Sequence, residues 1–140
     1  MRALSIKEPW ASLIRERVKW VETRSWGTNY RGELYIHASR SPVPKGDEKV
    51  DRLIALLPAA DCTGFAYGCL VARCEVVDCI RMDEVYVERM RREHPIEYLC
   101  GEYAPGRYAW RLDRIEPLEK PLPRRGMLGI WSFDWGDMER

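Results

Sequence analysis

Lys19, Glu22 and Arg24 gather an ammonium, a carboxylate and a guanidinium into the short run "KWVETR" of a 140-residue chain. A lysine and an arginine flanking a glutamate can fix one another's positions, and the planar guanidinium suits a bidentate hold on a carboxylate or a phosphate. The same trio offers chemistry, since a water-poor wall would favour Lys19 as base or nucleophile. The plainer alternative is an exposed ion-pair cluster closing a helix end, which contributes little energy. Lys19 and Glu22 stand at helical spacing, whereas Glu22 and Arg24 share one face of a strand. A helix-to-strand bend between them would aim all three at one point; in a straight strand Lys19 would face away.

Charge and aromatics favour a ligand-facing reading. The net charge is only +1, yet residues 1–45 hold nine Lys/Arg against four Asp/Glu, and the remainder holds 14 against 18. An anion's electrostatic footprint therefore falls on the first third of the chain. Trp10, Trp20, Trp26 and Tyr30 lie in that same third, and stacking on aromatic side chains beside basic groups is a common way to hold single-stranded nucleic acid. Trp10 falls on an apolar helical stripe and is expected in the core. Trp26 and Tyr30, in the polar stretch "SWGTNYRG" with Arg31, are the candidates for contact. His37 sits on the polar side of its strand and is expected to serve in hydrogen bonding, with ligand contact as the alternative.

Other chemistries are poorly supported. Two histidines, His37 and His94, give no metal-ligand spacing, and the five cysteines never form a C-x-x-C pair. Neither a disulfide framework nor a zinc site is predicted, no cofactor is expected, and reduced, buried thiols are the expectation for Cys62, Cys69, Cys74, Cys79 and Cys100. There is no P-loop, dinucleotide fingerprint or G-x-S-x-G. No run approaches the ~18 apolar residues of a membrane span, and "MRALSIKEPW" lacks a signal peptide's apolar core, so a soluble, cytoplasmic protein is expected.

The elements that must position these residues can be read from periodicity. Pro9 suits a first helical turn, and Trp10, Leu13, Ile14 and Val18 recur at helical spacing, predicting a helix over 9–18. "GELYIHAS" alternates, with Leu34, Ile36 and Ala38 against Glu33, Tyr35 and His37, predicting a half-buried strand. A second helix is predicted over 48–57, stopped by Pro58, a long buried strand over 67–80 and a charged surface helix over 83–93. Two further strands follow in "GRYAWRLDRIEPL" and "GMLGIWSFDW", with turn chemistry in "EKPLPRRG" between them. One domain over 1–140 with α+β architecture, a small barrel with peripheral helices, is the expected arrangement.

Four blocks, "LSIKEPWASLI", "VKWVETRSW", "YRGELYIHAS" and "YAWRLDRIEPLEKPLPRRGMLGIW", together resemble the ASCH domain, the activating-signal-cointegrator homology domain of the PUA-like superfamily. Its hallmark G-x-K-x-x-E-x-R corresponds to Arg17, Lys19, Glu22 and Arg24, with Arg17 in place of glycine. The resemblance implies a PUA-like β-barrel with flanking helices and a cleft lined by the hallmark residues. It leaves several activities open, among them RNA binding, DNA binding, ribonuclease activity and deacylation of N4-acetylcytidine. The deacylating branch places a threonine where this chain has Glu22; Thr23 is one place off, and a carboxylate cannot replace a hydroxyl nucleophile without a change of mechanism.

The expected function is a module binding RNA, single-stranded nucleic acid or a nucleotide, with Lys19, Arg24 and Arg31 at phosphate and Trp26 or Tyr30 on a base. Glu22 would orient Lys19 and Arg24 or accept from a base edge. The competing expectation is a metal-independent hydrolase of RNA or an acylated nucleoside, with Lys19 as base or electrostatic stabiliser, Glu22 its partner and Arg24 steadying negative charge. A protein-binding adaptor, using charged runs such as "ERMRREH", is the third.

Overall fold

A computed structural model describes residues 1–58 and 64–136. Along the chain run β1 (Arg2–Ile6), α1 (Trp10–Arg15), β2 (Val21–Arg24), β3 (Gly32–Ala38), α2 (Glu48–Ile54), β4 (Cys69–Arg81), α3 (Glu84–Glu93), α4 (Pro95–Cys100), β5 (Tyr108–Pro123) and β6 (Ile130–Ser132). The strands form one mixed sheet in the order β2-β5-β4-β3-β1-β6. Only the β1–β3 pairing is parallel among the described strands. Arg24 on β2 donates from Nη2 to the Ser5 carbonyl of β1 at 2.9 Å, although three strands separate β2 from β1 in the sheet order. The sheet is therefore curled into a half-barrel, and the helices flank it.

The main core fills the concave side: Leu4, Ile14, Leu34, Ile36, Val71, Val76, Trp110 and Leu112 pack together. β3 departs from the half-buried expectation, because Leu34 through Ala38 are all buried. Its other face is covered by the C-terminal aromatics: Tyr35 meets Phe133 and Trp135, each at 5.3 Å, and His37 meets Trp131 at 5.3 Å. The turn expected in "EKPLPRRG" is also displaced. β5 continues to Pro123, and its register against β4 jumps from Ala72↔Pro117 to Leu70↔Leu122. Pro121 falls in the looped-out stretch, where no ladder N–H is required of it.

α1 is shorter than its periodicity predicts. Arg17 adopts φ 62°, and its N–H donates to Ile14 O at 2.9 Å while Val18 N–H donates to Leu13 O at 3.0 Å. This is the Schellman stop, in which a left-handed residue satisfies the last helical carbonyls. Val18 packs against Leu13 to complete it. α2 stops at Ile54, and Asp47 caps its start through Lys49 and Val50 N–H. Helix α4 has no counterpart in the periodicity reading. Among the cysteines, Cys74 and Cys100 are buried, but Cys69 and Cys79 are only partly so; all four are free thiols. Cys62 lies outside the described residues.

Candidate nucleotide-binding cleft

The Schellman turn delivers the chain from α1 into β2 and sets the hallmark side chains along a cleft of about 450 Å³. Lys19, Glu22, Thr23, Arg24, Ser25 and Trp26 form one wall, Ser5, Ile6, Lys7 and Trp10 a second, and Cys100, Gly101, Glu102 and Arg107 a third. The bend thus brings Lys19, Glu22 and Arg24 to one place. Their pairing is different from the expected mutual trio.

Lys19 does not turn to Glu22. Its side chain is 1% exposed, its ammonium donates to the Val21 carbonyl, and it stands 3.8 Å from Glu97 Oε2. Glu97, at 2% exposure, is the hub of a buried network. Its Oε1 accepts from Trp20 N–H at 2.7 Å and Val21 N–H at 2.8 Å, and Oε2 accepts from the Tyr103 hydroxyl at 2.8 Å. Burial, with the Glu97 carboxylate next in weight, holds the Tyr103 phenol far above its usual range. The Cys100 thiol, on the cleft wall, is pushed up to about 11 by burial, with Glu97 adding to it.

Glu22 pairs instead with Arg24, whose Nε lies 3.2 Å from Glu22 Oε2. The guanidinium is thereby shared between that carboxylate and the Ser5 carbonyl, and its carbon lies 5.7 Å from the Trp26 ring centroid. Trp26 is 38% exposed; its ring packs against buried Trp110, with centroids 4.8 Å apart, and its carbonyl accepts from Trp110 Nε1. Trp10 meets its core assignment only in part: it packs against the core, yet it is half-buried and also lines the cleft, because the helix starts at Trp10.

Tyr30, Arg31 and His37 are not brought to this cleft. The Tyr30 hydroxyl donates to the Glu33 carbonyl. Arg31 holds its own loop through the Thr28 and Tyr30 carbonyls at 3.0 and 2.9 Å, and stands 3.9 Å from Asp78. His37 is buried between Ser5 Oγ at 2.9 Å and the Arg124 carbonyl at 2.8 Å, a hydrogen-bonding role. His94, assigned to a charged helix, is the residue between α3 and α4 and meets Trp20 edge-on at 5.2 Å.

Sequence reasoning missed Glu97, Thr23, Lys7 and Arg107. The Thr23 hydroxyl accepts from Glu102 N–H at 3.0 Å, and Arg107 donates from Nη2 to the Thr23 carbonyl at 3.4 Å, so these two pin the third wall to β2. Glu8 is a further buried carboxylate, accepting from Ser12 N–H at 2.8 Å and Ser12 Oγ at 2.7 Å at the start of α1. Burial raises its pKa against the lowering effect of those bonds. One signal was available for Glu97: it is the only charged residue of "PIEYLC".

The lining carries four cations, Lys7, Lys19, Arg24 and Arg107, against the carboxylates Glu22 and Glu102. Among the described residues no group of His, Cys, Asp and Glu could hold a metal ion. Among the described residues no helix is long and apolar enough to cross a membrane.

A curled mixed sheet with a cation-rich, tryptophan-edged cleft at the α1–β2 bend defines a small α+β domain with a charged site. The chain belongs to the ASCH domain family, whose pattern it matches over residues 4–121. It is similar to "Activating signal cointegrator 1" of Homo sapiens, 36% identical over 139 residues, and to that of Mus musculus, 36% identical over 135. Each match covers 94% of this chain but 22% of the relative. The chain thus spans about a fifth of the length of these relatives. Family membership and the charged cleft together support binding of a nucleotide or nucleic acid.

Proposed function

We propose that the cleft binds single-stranded RNA, or a nucleotide of the same chemistry, through phosphate and base together. The observation that carries this reading is the placement of Lys7, Arg24 and Arg107 beside Trp10 and the partly exposed Trp26 in one cleft. Phosphate meets the cations, Arg24 foremost because two hydrogen bonds already orient it, and the base takes the tryptophan edge. Glu22 fixes Arg24 and is the acceptor available to a base N–H.

The hydrolytic alternative gives Lys19 the proton transfer. With its ammonium committed to the Val21 carbonyl and Glu97, Lys19 favours a supporting part, and binding is the better reading. The test is fluorescence anisotropy with a labelled single-stranded RNA across a salt series. Binding should weaken steeply with salt, and Arg24→Ala should raise Kd about tenfold, the loss of one charge-assisted contact. Binding that is absent, indifferent to salt or unchanged in Arg24→Ala would remove the reading.

A further inference from the structure

A second basin lies next to the cleft, and Ser5 belongs to the lining of both. It encloses about 520 Å³ between Ser39, Arg40 and the 125–128 loop, with His37 at its floor. That floor is fully bonded. His37 Nε2 faces the Arg124 carbonyl, which can only accept, so in the neutral ring Nδ1 is left to accept from Ser5 Oγ; Ser5 Oγ in turn accepts from Trp131 Nε1 at 3.1 Å. Ser5 and His37 are thus a rigid floor and not a free nucleophile with its base. Gly126 lies flush on it: a Cβ there would stand 2.7 Å from Ser5 Oγ and 2.8 Å from His37 Cε1.

Above that floor the basin has Arg40 and Arg125, and among the described residues no carboxylate lines it. Among the described residues neither arginine is in an ion pair. Beside them Met127 is 61% and Leu128 99% exposed. Met127 and Leu128 together give the basin an exposed apolar edge beside the two guanidinium groups. It suits a ligand that alternates anionic groups with flat apolar ones. Arg24 stands at the junction, lining the cleft while holding the Ser5 carbonyl.

We propose that this basin is a second nucleotide subsite, and that the ligand is a single strand whose backbone passes from the cleft over Ser5 to Arg40 and Arg125, with a base against Leu128. The inference rests on the reading of the cleft as a nucleotide site. It adds that a mononucleotide fills only half of the binding surface.

The test measures Kd for a mononucleotide and for single-stranded oligonucleotides of increasing length, on wild type, Arg24→Ala, the double variant Arg40→Ala/Arg125→Ala, and Leu128→Ser. All four altered side chains are at least partly exposed, and Leu128, almost wholly in solvent, can be changed without disturbing packing. The wild type should gain at least about tenfold in affinity between one nucleotide and the plateau length, as the second contact becomes intramolecular. That gain should shrink severalfold in the double variant and in Leu128→Ser, with a shallower salt slope for the double variant. Arg24→Ala should weaken all lengths. A wild-type Kd that does not change with length, or a length gain untouched by both basin variants, overturns the second subsite while leaving the cleft reading intact. Equal affinities for wild type and Arg24→Ala at every length overturn the cleft reading. Displacement of the oligonucleotide by an acidic peptide from wild type, with loss of peptide binding in the double variant, assigns the basin to a protein partner and overturns the proposal.

Discussion

The Lys19 ammonium and the Glu97 carboxylate stand 3.8 Å apart, both sealed from solvent, and join the hallmark strand to a helix 78 positions further along the chain. The pair is only part of the joint. Glu97 also accepts two consecutive backbone N–H groups, Trp20 and Val21, at the entry to β2. Removing one partner of such a buried pair leaves the other charge uncompensated.

Lys19→Ala is therefore expected to destabilise the fold by about 3–5 kcal/mol, read as a lower urea midpoint at unchanged m-value. Lys19→Met with Glu97→Gln should recover much of that loss, because the amide oxygen still accepts from Trp20 and Val21 while no unpaired charge remains. If the double variant is as unstable as Lys19→Ala, the pair is not the source of the cost.

Burial of thiols sets an alkaline limit. Cys74 is pushed up to about 12 and Cys100 to about 11 from the ordinary 9.0, in both cases chiefly by burial. The unfolded chain loses these protons first, so above about pH 9 it binds fewer protons than the folded state and gains on it. Stability is thus full below about pH 9 and declines as pH rises toward about 11 for Cys100 and 12 for Cys74, by up to about 1.4 kcal/mol per pH unit for each. Tyr103 acts in the same direction from its ordinary 10.0 upward. Urea midpoints from pH 7 to 11 should be flat and then fall, and Cys74→Ala should fall less steeply from a lower starting value. Equal slopes for variant and wild type would refute the Cys74 assignment.

Arg17 holds a left-handed conformation where the family hallmark has glycine, and its Nε donates to the Ile115 carbonyl at 2.8 Å. The backbone conformation costs a side-chain-bearing residue about 1–2 kcal/mol. Glycine would relieve that but lose a hydrogen bond worth about 1 kcal/mol and gain unfolded-state freedom. Arg17→Gly should therefore lie within about 1 kcal/mol of wild type, whereas Arg17→Val, β-branched and unable to reach Ile115, should lose about 2 kcal/mol or more. Denaturant unfolding of the two variants distinguishes them; equal losses would mean that strain at Arg17 is not the deciding term.

The difference between what the sequence reveals and what it conceals follows from the range of the interactions. The bend at Lys19–Arg24, the long β4 strand and the Asp83-capped α3 helix are local, so spacing and capping residues disclose them. Glu97 is invisible as Lys19's partner because only the docking of α4 brings the two together. The alternation of "GELYIHAS" says which residues share a face but not that Trp131 and Phe133, about a hundred positions on, will cover the polar one. Trp10 has core periodicity, yet a residue at the first position of a short helix falls at the rim, and periodicity does not distinguish rim from core. Tyr30 and Arg31 have the right chemistry for a ligand, but their loop lies away from the cleft and spends their polar groups on its own carbonyls.

Arg24 offers the sharpest separation of binding from folding. Its guanidinium makes two bonds in different directions, Nε to Glu22 and Nη2 to the Ser5 carbonyl, while presenting its face toward Trp26. An ammonium keeps the charge but lacks the planar fork and cannot reproduce this geometry with one nitrogen. Arg24→Lys should lower stability by only about 1 kcal/mol, since the site is partly solvated, yet raise Kd for a single-stranded RNA severalfold with little change in salt slope, because the number of cations is unchanged. Arg24→Ala, by contrast, should lose affinity and flatten the salt slope by about one unit. Anisotropy titrations at three salt concentrations read both quantities. If Arg24→Lys and wild-type proteins bind identically, only the charge at this position matters, and the fixed orientation of Arg24 has no part in recognition.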